Sequence, residues 1–268
     1  MEANIYIPLQ LKGIASMIWE QKSNSSQRWK ILPSGYIELI FNLGEKMEDL
    51  SGKKVGQSFN PTENFCFLSG LHTQPLCMTY SQFHVMGVRL EPVAAKSLFK
   101  IPCFELKDWA LKGEEIFHNK AYVEDAIRSF SDFQLRAKWL EQYLYALICE
   151  NPELYLALKI SKLLKQVADY RKIGTPVKLE DFTGYSRMHT YRLFKDWFGL
   201  SPSYSISLQQ FISSVNAIHT QHESLTHLAF DHGFYDSSHF IRIFRQYAEM
   251  TPGQYLQQKS NLIGQFPC

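Results

Sequence analysis

One stretch of this chain is written twice, about fifty residues apart, and that repeat constrains the fold more than any other feature. Tyr185 returns as Tyr235, Ser186 as Asp236, His189 as His239 and Arg192 as Arg242. Leu193-Phe194-Lys195 returns as Ile243-Phe244-Arg245, Trp197 as Tyr247, and Leu200-Ser201-Pro202 as Met250-Thr251-Pro252. A unit repeated at fixed period is a repeated structural element. Thr190, Leu193, Phe194 and Trp197 recur at three- and four-residue spacing, as do Phe240, Ile243, Phe244 and Tyr247. That period marks one face of a helix for burial. Met188, Arg192 and Lys195 lie opposite in the first copy, flanked by Tyr191. Ser238, Arg242 and Arg245 lie opposite in the second, flanked by Ile241.

The flanks complete the unit. Ser186 and Asp236 are expected N-caps, because their side-chain oxygens can accept a backbone N–H of the opening turn. A short helix and a glycine precede each copy: 176–183 with Gly184, and Leu225–Asp231 with Gly233. Thr175 and Pro176 are expected to open the earlier helix. Helix, tight turn and helix is the helix-turn-helix layout, whose second helix enters the major groove of double-stranded DNA. Arg192 and Arg242 suit a guanine edge, worth about 1–3 kcal/mol of discrimination each. Met188 and Ile241 suit a thymine methyl, and Arg187, Lys195 and Arg245 suit phosphates. Between the copies, 203–219 predicts a helix of roughly 25 Å, a strut on the scale of the ~34 Å DNA turn. An arginine opposite an apolar stripe is also an ordinary solvated face. A bundle of duplicated hairpins with no ligand is therefore the alternative, against which caps, glycines and common phase argue.

Charge supports this only mildly. The net charge is +2, with 16 Lys+Arg against 17 Asp+Glu in residues 1–150 and 12 against 9 in 151–268. The five cysteines have no C-x-x-C pair, which argues against a zinc site or disulfide framework and for reduced thiols. No secretory signal and no membrane span is legible, so a cytoplasmic protein is expected.

The first 110 residues read as short strands at 37–43, 65–68, Leu76–Tyr80 and Phe83–Leu90. Pro33-Ser34-Gly35, Gly44, Ser51-Gly52, Asn60-Pro61 and Ser69-Gly70 supply the turns between them. This spacing predicts an antiparallel barrel or sandwich, with a helix intruding at 92–99. From about Tyr122 the period turns helical. Phe133, Trp139, Leu140, Tyr143, Leu144, Leu147 and Ile148 form one stripe, which packs on the β region or forms a homodimer interface. Asn151-Pro152 is expected to end that helix. A further helix over 154–171 would close at Gly174. His84 and Arg89 could meet an anionic ligand, and Trp19 and Tyr36 could line an apolar pocket; core packing or structural ion pairs are the alternative for each. Nucleophile elbows, phosphate-cradling glycine loops and metal-ligand spacing are absent from the sequence, so no enzyme and no cofactor is expected.

GYSRMHTYRLFKDWFGLSP (184–202) and SLTHLAFDHGFYDSSHFIRIFRQYAEMTP (224–252) resemble the DNA-binding domain of the AraC/XylS family of bacterial transcription regulators. The resemblance implies two helix-turn-helix units joined by a long helix. It also implies that Met188, Tyr191, Arg192, Ser237, Ser238 and Arg242 occupy base-reading positions. Ser207, Gln210 and Ser213 stand where relatives carry arginines on the joining helix, and Ala248-Glu249 replaces an aromatic-glycine pair. Fewer cations should weaken DNA binding and flatten its salt dependence. ILPSGYIELIFNLGE (31–45) and MGVRLEP (86–92) resemble the β-rich N-terminal domain of one branch of these regulators. In the wider family a cupin-like effector-binding or dimerising domain holds that place; the absence of H-x-H followed by glutamate argues against a metal cupin.

The expected architecture is α+β and multi-domain. Residues 1–120 form a β-rich sensor-like domain, 121–153 a helical connector, and 154–262 an all-α domain with two helix-turn-helix units. The expected function is a DNA-binding transcription regulator modulated by a small-molecule effector, with RNA polymerase as a further partner. The alternative is a ligand-binding or scaffold protein with weakened DNA binding, and a remoter one is an enzyme in the N-terminal domain.

Overall fold

A computed structural model describes residues 2–24, 27–44, 65–80, 83–149, 151–166, 179–220 and 224–267. Ser51-Gly52, Asn60-Pro61, Gly174, Thr175 and Pro176 lie outside the described residues.

The N-terminal part holds two antiparallel sheets. In chain order the strands are β1 (Glu2–Tyr6), β2 (Ala15–Ser23), β3 (Gln27–Ile31), β4 (Ile37–Asn42), β5 (Cys66–Ser69), β6 (Leu76–Tyr80), β7 (Phe83–Leu90), β8 (Ala110–Lys112) and β9 (Gln265–Pro267). Six form one sheet in the order β1-β2-β7-β4-β5-β8, and three form another, β6-β3-β9. The large sheet is apolar on both faces, because register aligns its rows. Ile18, Leu39, Val88 and Leu68 share one row and face the main core. Trp19, Gly87, Ile40 and Phe67 share the next row, and with Phe83, Val85 and Met78 of β6 they form a separate small cluster.

Five helices follow or interrupt the sheets: α1 (Ala94–Phe99), α2 (Gly113–Ile116), α3 (Lys120–Ser129), α4 (Phe133–Ala146) and α5 (Pro152–Lys165). The stripe on α4 packs on its own sheet through Phe133, Leu140 and Leu144. Arg136 of α4 reaches the buried Glu20 of β2 at 2.5 Å and donates to the Ile127 and Phe130 carbonyls. Two expectations need correction here. Leu147 and Ile148 lie beyond the end of α4, and Asn151-Pro152 begins α5 rather than merely ending its predecessor. Asn151 accepts the Glu153 N–H at 2.8 Å and Pro152 takes the first turn, where its missing N–H costs nothing.

The C-terminal helices are α6 (Leu179–Thr183), α7 (Arg187–Phe198), α8 (Pro202–Thr220), α9 (Leu225–Asp231), α10 (Ser237–Ala248) and α11 (Pro252–Gln258). Together with α5 they pack against the N-terminal part. Lys165 and Ser161 of α5 both reach the buried Glu91, and a Cβ on Gly35 would fall 2.8 Å from Ile212 of α8. After α11 the chain returns to the N-terminal part, where β9 pairs with β3.

Candidate nucleic-acid interface

The two helix-turn-helix units, α6-α7 and α9-α10, are built alike. Gly184 and Gly233 turn the chain at φ 70° and 72°, the left-handed region open to glycine without penalty. Ser186 accepts the His189 N–H at 3.3 Å, and Asp236 accepts the His239 N–H at 2.7 Å. Leu193, Phe194 and Trp197 are buried in α7, as are Ile243, Phe244 and Tyr247 in α10. The aromatic rings on α10 close on the strut: Phe211 of α8 lies 5.1 Å from Phe244 and 5.2 Å from Tyr247, centroid to centroid. The burial of Tyr247 pushes its hydroxyl pKa up to about 12.

The opposite faces are open. Arg187, Met188, Tyr191 and Arg192 of α7 are exposed, and Lys195 is half-buried with its ammonium 5.9 Å from the centre of the Tyr191 ring. On α10, Ser238, Ile241, Arg242 and Arg245 are exposed and Ser237 is half-buried. The structure thus brings the ten expected contact residues onto two capped helices, five on each. The faces differ in surroundings. Met188, His189 and Arg192 border a cleft of about 450 Å³ that Glu153 and Asp196 also line. Tyr185 stacks on His189 at 4.0 Å, whereas its counterpart Tyr235 is 87% exposed.

Two polar residues of the joining helix, Gln210 and Ser213, face a task inside the fold. Gln210 is buried on α8 and donates to the carbonyls of His232 and Gly233 at 3.2 and 2.7 Å. Ser213 hydrogen-bonds His232 Nδ1 at 2.6 Å. Both brace the glycine turn of the second unit instead of extending the basic surface. Repeat phasing could not show this, since α8 lies between the copies.

The N-terminal candidates separate. Trp19, Tyr36 and Arg89 share one side of the large sheet; His84 points to the other. Arg89 pairs with Glu38 at 3.1 Å and lies 5.4 Å from the Tyr36 ring centre. His84 pairs with Glu20 at 2.8 Å, and burial nonetheless holds its pKa below the ordinary histidine value, outweighing that hydrogen bond. For Glu20, burial acts to raise the pKa, but hydrogen bonds from His84 and Asn4 and the Arg136 charge bring it net below the usual carboxylate range. Trp19 packs over Gly87, where a Cβ would lie 2.4 Å from the indole. Among the described residues its buried Nε1 has no hydrogen-bond partner.

Comparison with known proteins agrees with this geometry. Residues 179–258, spanning α6 to α11, match a family model described as a helix-turn-helix domain. The chain is 26% identical over 99 residues to the probable transcription factor PqrA of Proteus vulgaris, an alignment covering 36% of this chain and 81% of that protein. Residues 179–258 thus form the helix-turn-helix domain of a DNA-binding transcription regulator. Residues 8–112 of this regulator match a model described as a domain of unknown function, DUF6597. Among solved structures it is similar to ToxT from Vibrio cholerae, at 15% identity and TM-score 0.46, covering 96% of this chain and 97% of that one. A ToxT structure with unsaturated fatty acid bound is 14% identical with TM-score 0.44, covering 91% and 94%. Among the described residues no helix is long and apolar enough to cross a membrane.

Proposed function

We propose that α7 and α10 read two different half-sites on one face of DNA. Arg192 and Arg242 read guanine edges, and Met188 and Ile241 meet thymine methyls. Tyr191, Ser237 and Ser238 complete the base contacts, while Arg187, Lys195 and Arg245 bind phosphates and fix register. One observation carries this reading. Arg192 and Arg242 hold equivalent positions, exposed, on helices whose opposite faces are buried aromatic core.

The reading extends to the rest of the chain. Residues 1–120 act as a sensor domain for a small-molecule effector, 121–153 connect and serve a homodimer, and 154–262 bind DNA in the cytoplasm, with RNA polymerase as downstream partner. The chain performs no catalysis in this scheme. Trp19 Nε1, a buried donor in an apolar cluster, supports an effector site between the sheets, with Tyr36 and Arg89 on the same side of the sheet and His84 excluded. The inward task of Gln210 and Ser213 supports a second reading, a regulator whose DNA affinity is low and only weakly salt-dependent.

Selection of bound fragments from genomic DNA at moderate salt tests the main reading. An enriched motif with two half-sites about one helical turn apart is expected. No enrichment even at low salt would reject it.

A further inference from the structure

The second helix-turn-helix unit carries a departure from the repeat that the DNA contacts do not use. The first recognition helix ends at Gly199 with φ 73°; the second ends at Glu249 with φ 57°. A side chain in that left-handed conformation is strained, and glycine is the residue that avoids the strain. The Glu249 carboxylate instead pairs with Lys30 Nζ at 3.3 Å, and Lys30 sits on β3 of the small sheet.

The same strand receives the C-terminal tail. Trp29, Lys30 and Ile31 pair with Pro267, Phe266 and Gln265 in antiparallel register. Phe266 is buried, 5.7 Å from the ring of Tyr255, which lies 5.6 Å from Phe244 of α10. Tyr255 is itself held. Its hydroxyl accepts the Gly264 N–H at 3.1 Å and hydrogen-bonds His219 of α8 at 2.8 Å. Leu32 N–H closes the arrangement on the Gly264 carbonyl at 2.8 Å. Both routes, the ion pair and the strand, run from β3 to α10. The exposed contact residues of α10 are left uncovered by them.

We infer that Glu249 and the C-terminal strand are positioning elements, a strap that sets the second recognition helix against the N-terminal sheet and thereby relative to the first. The strap orients α10 in advance, so that less ordering remains when DNA binds. Lys30 is its anchor, Phe266 its buried plug, and Glu249 the residue that accepts backbone strain in exchange for the charge contact. This rests on α7 and α10 acting as paired readers, but the device can be tested without DNA, so the two ideas fail separately.

Nitroxide labels at Asp181→Cys and Thr226→Cys, both exposed and away from the contact faces, would report the spacing of the two units. The full chain would carry Cys77, Cys149 and Cys268 replaced by serine, leaving the buried Cys66 and Cys103 in place. Double electron–electron resonance should give a narrow distance distribution for this parent. Lys30→Glu, which sets two carboxylates against each other, should shift and broaden it. The reversed pair Lys30→Glu/Glu249→Lys should restore it, which a merely structural role for either residue would not do. Phe266→Ala should broaden it as well; if that variant fails to fold, the Lys30 series decides alone. An unchanged distribution in Lys30→Glu, or failure of the reversed pair to restore it, would overturn the strap.

Discussion

The two helix-turn-helix units share a plan and differ in how they are supported. The first leans directly on the N-terminal part. A Cβ on Gly199 would lie 2.9 Å from the Cys103 carbonyl oxygen, so backbone meets backbone there. Lys96 of α1 joins Asp196 and Glu153 at 3.4 and 3.3 Å and lies 4.9 Å from the centre of the Trp197 ring. Trp197 Nε1 in turn donates to Glu153 at 3.0 Å. The second unit leans on α8 through Phe211, Gln210 and Ser213, on the tail through Tyr255, and on Lys30 of β3 through the ion pair of Glu249. Copying a unit preserves its internal packing, while each copy must find its own neighbours. The differences between the copies therefore collect at their outer edges.

The two helix ends, Gly199 and Glu249, should give the largest difference between the units. Gly199→Ala adds both a left-handed penalty and a clash with Cys103, and should destabilise by about 2–4 kcal/mol. The opposite exchange, Glu249→Gly, relieves strain and loses one exposed ion pair, so its net effect should stay within about 1 kcal/mol of zero. Chemical denaturation of both variants checks the contrast; equal losses would mean that the two helix ends are supported alike.

Gln210→Ala is the next test. It leaves the His232 and Gly233 carbonyls without their side-chain donor and should cost about 1–3 kcal/mol. Hydrogen exchange should rise around α9 and α10 while α7 keeps its protection. Exchange rising equally in both units would show that Gln210 supports the whole domain instead of one turn.

The smallest effect is in pH. Burial, helped by the Lys259 charge, holds the pKa of His219 below the ordinary 6.5. The folded form then binds fewer protons than the unfolded one between those two values, so this contribution is complete above about pH 6.5 and lost as pH falls through the folded value. Mild acid should loosen the second unit, where His219 meets Tyr255, before the first. His219→Gln should flatten the profile, and an unchanged profile would remove His219 from the account.

Much of this was legible in the residues, for reasons that can be named. The helices of the repeat announce themselves because caps, glycine turns and apolar period all act within one segment. The strands Leu76–Tyr80 and Phe83–Leu90 were readable as continuous β-favouring runs. β2 was not, because its run ASMIWEQKS mixes Glu20, Gln21 and Lys22 into a strand whose burial comes from pairing with β1 and β7. β9 is still less local: Gln265–Pro267 is a strand only because β3 receives it. The exposed faces of α7 and α10 were readable from phase alone. The inward roles of Gln210 and Glu249 depend on partners distant in sequence, and so does the separation of His84 from Trp19, Tyr36 and Arg89.

We propose that one scaffold, used twice, reads two different sequences within a single protomer. Binding selection from a random DNA library, run in parallel for the parent, Arg192→Ala and Arg242→Ala, tests it most directly. An asymmetric motif is expected, in which each variant loses preference at one base pair, the two positions lying in different half-sites about one turn apart. Loss at the same position for both, or a uniform loss of affinity with the motif intact, would contradict it.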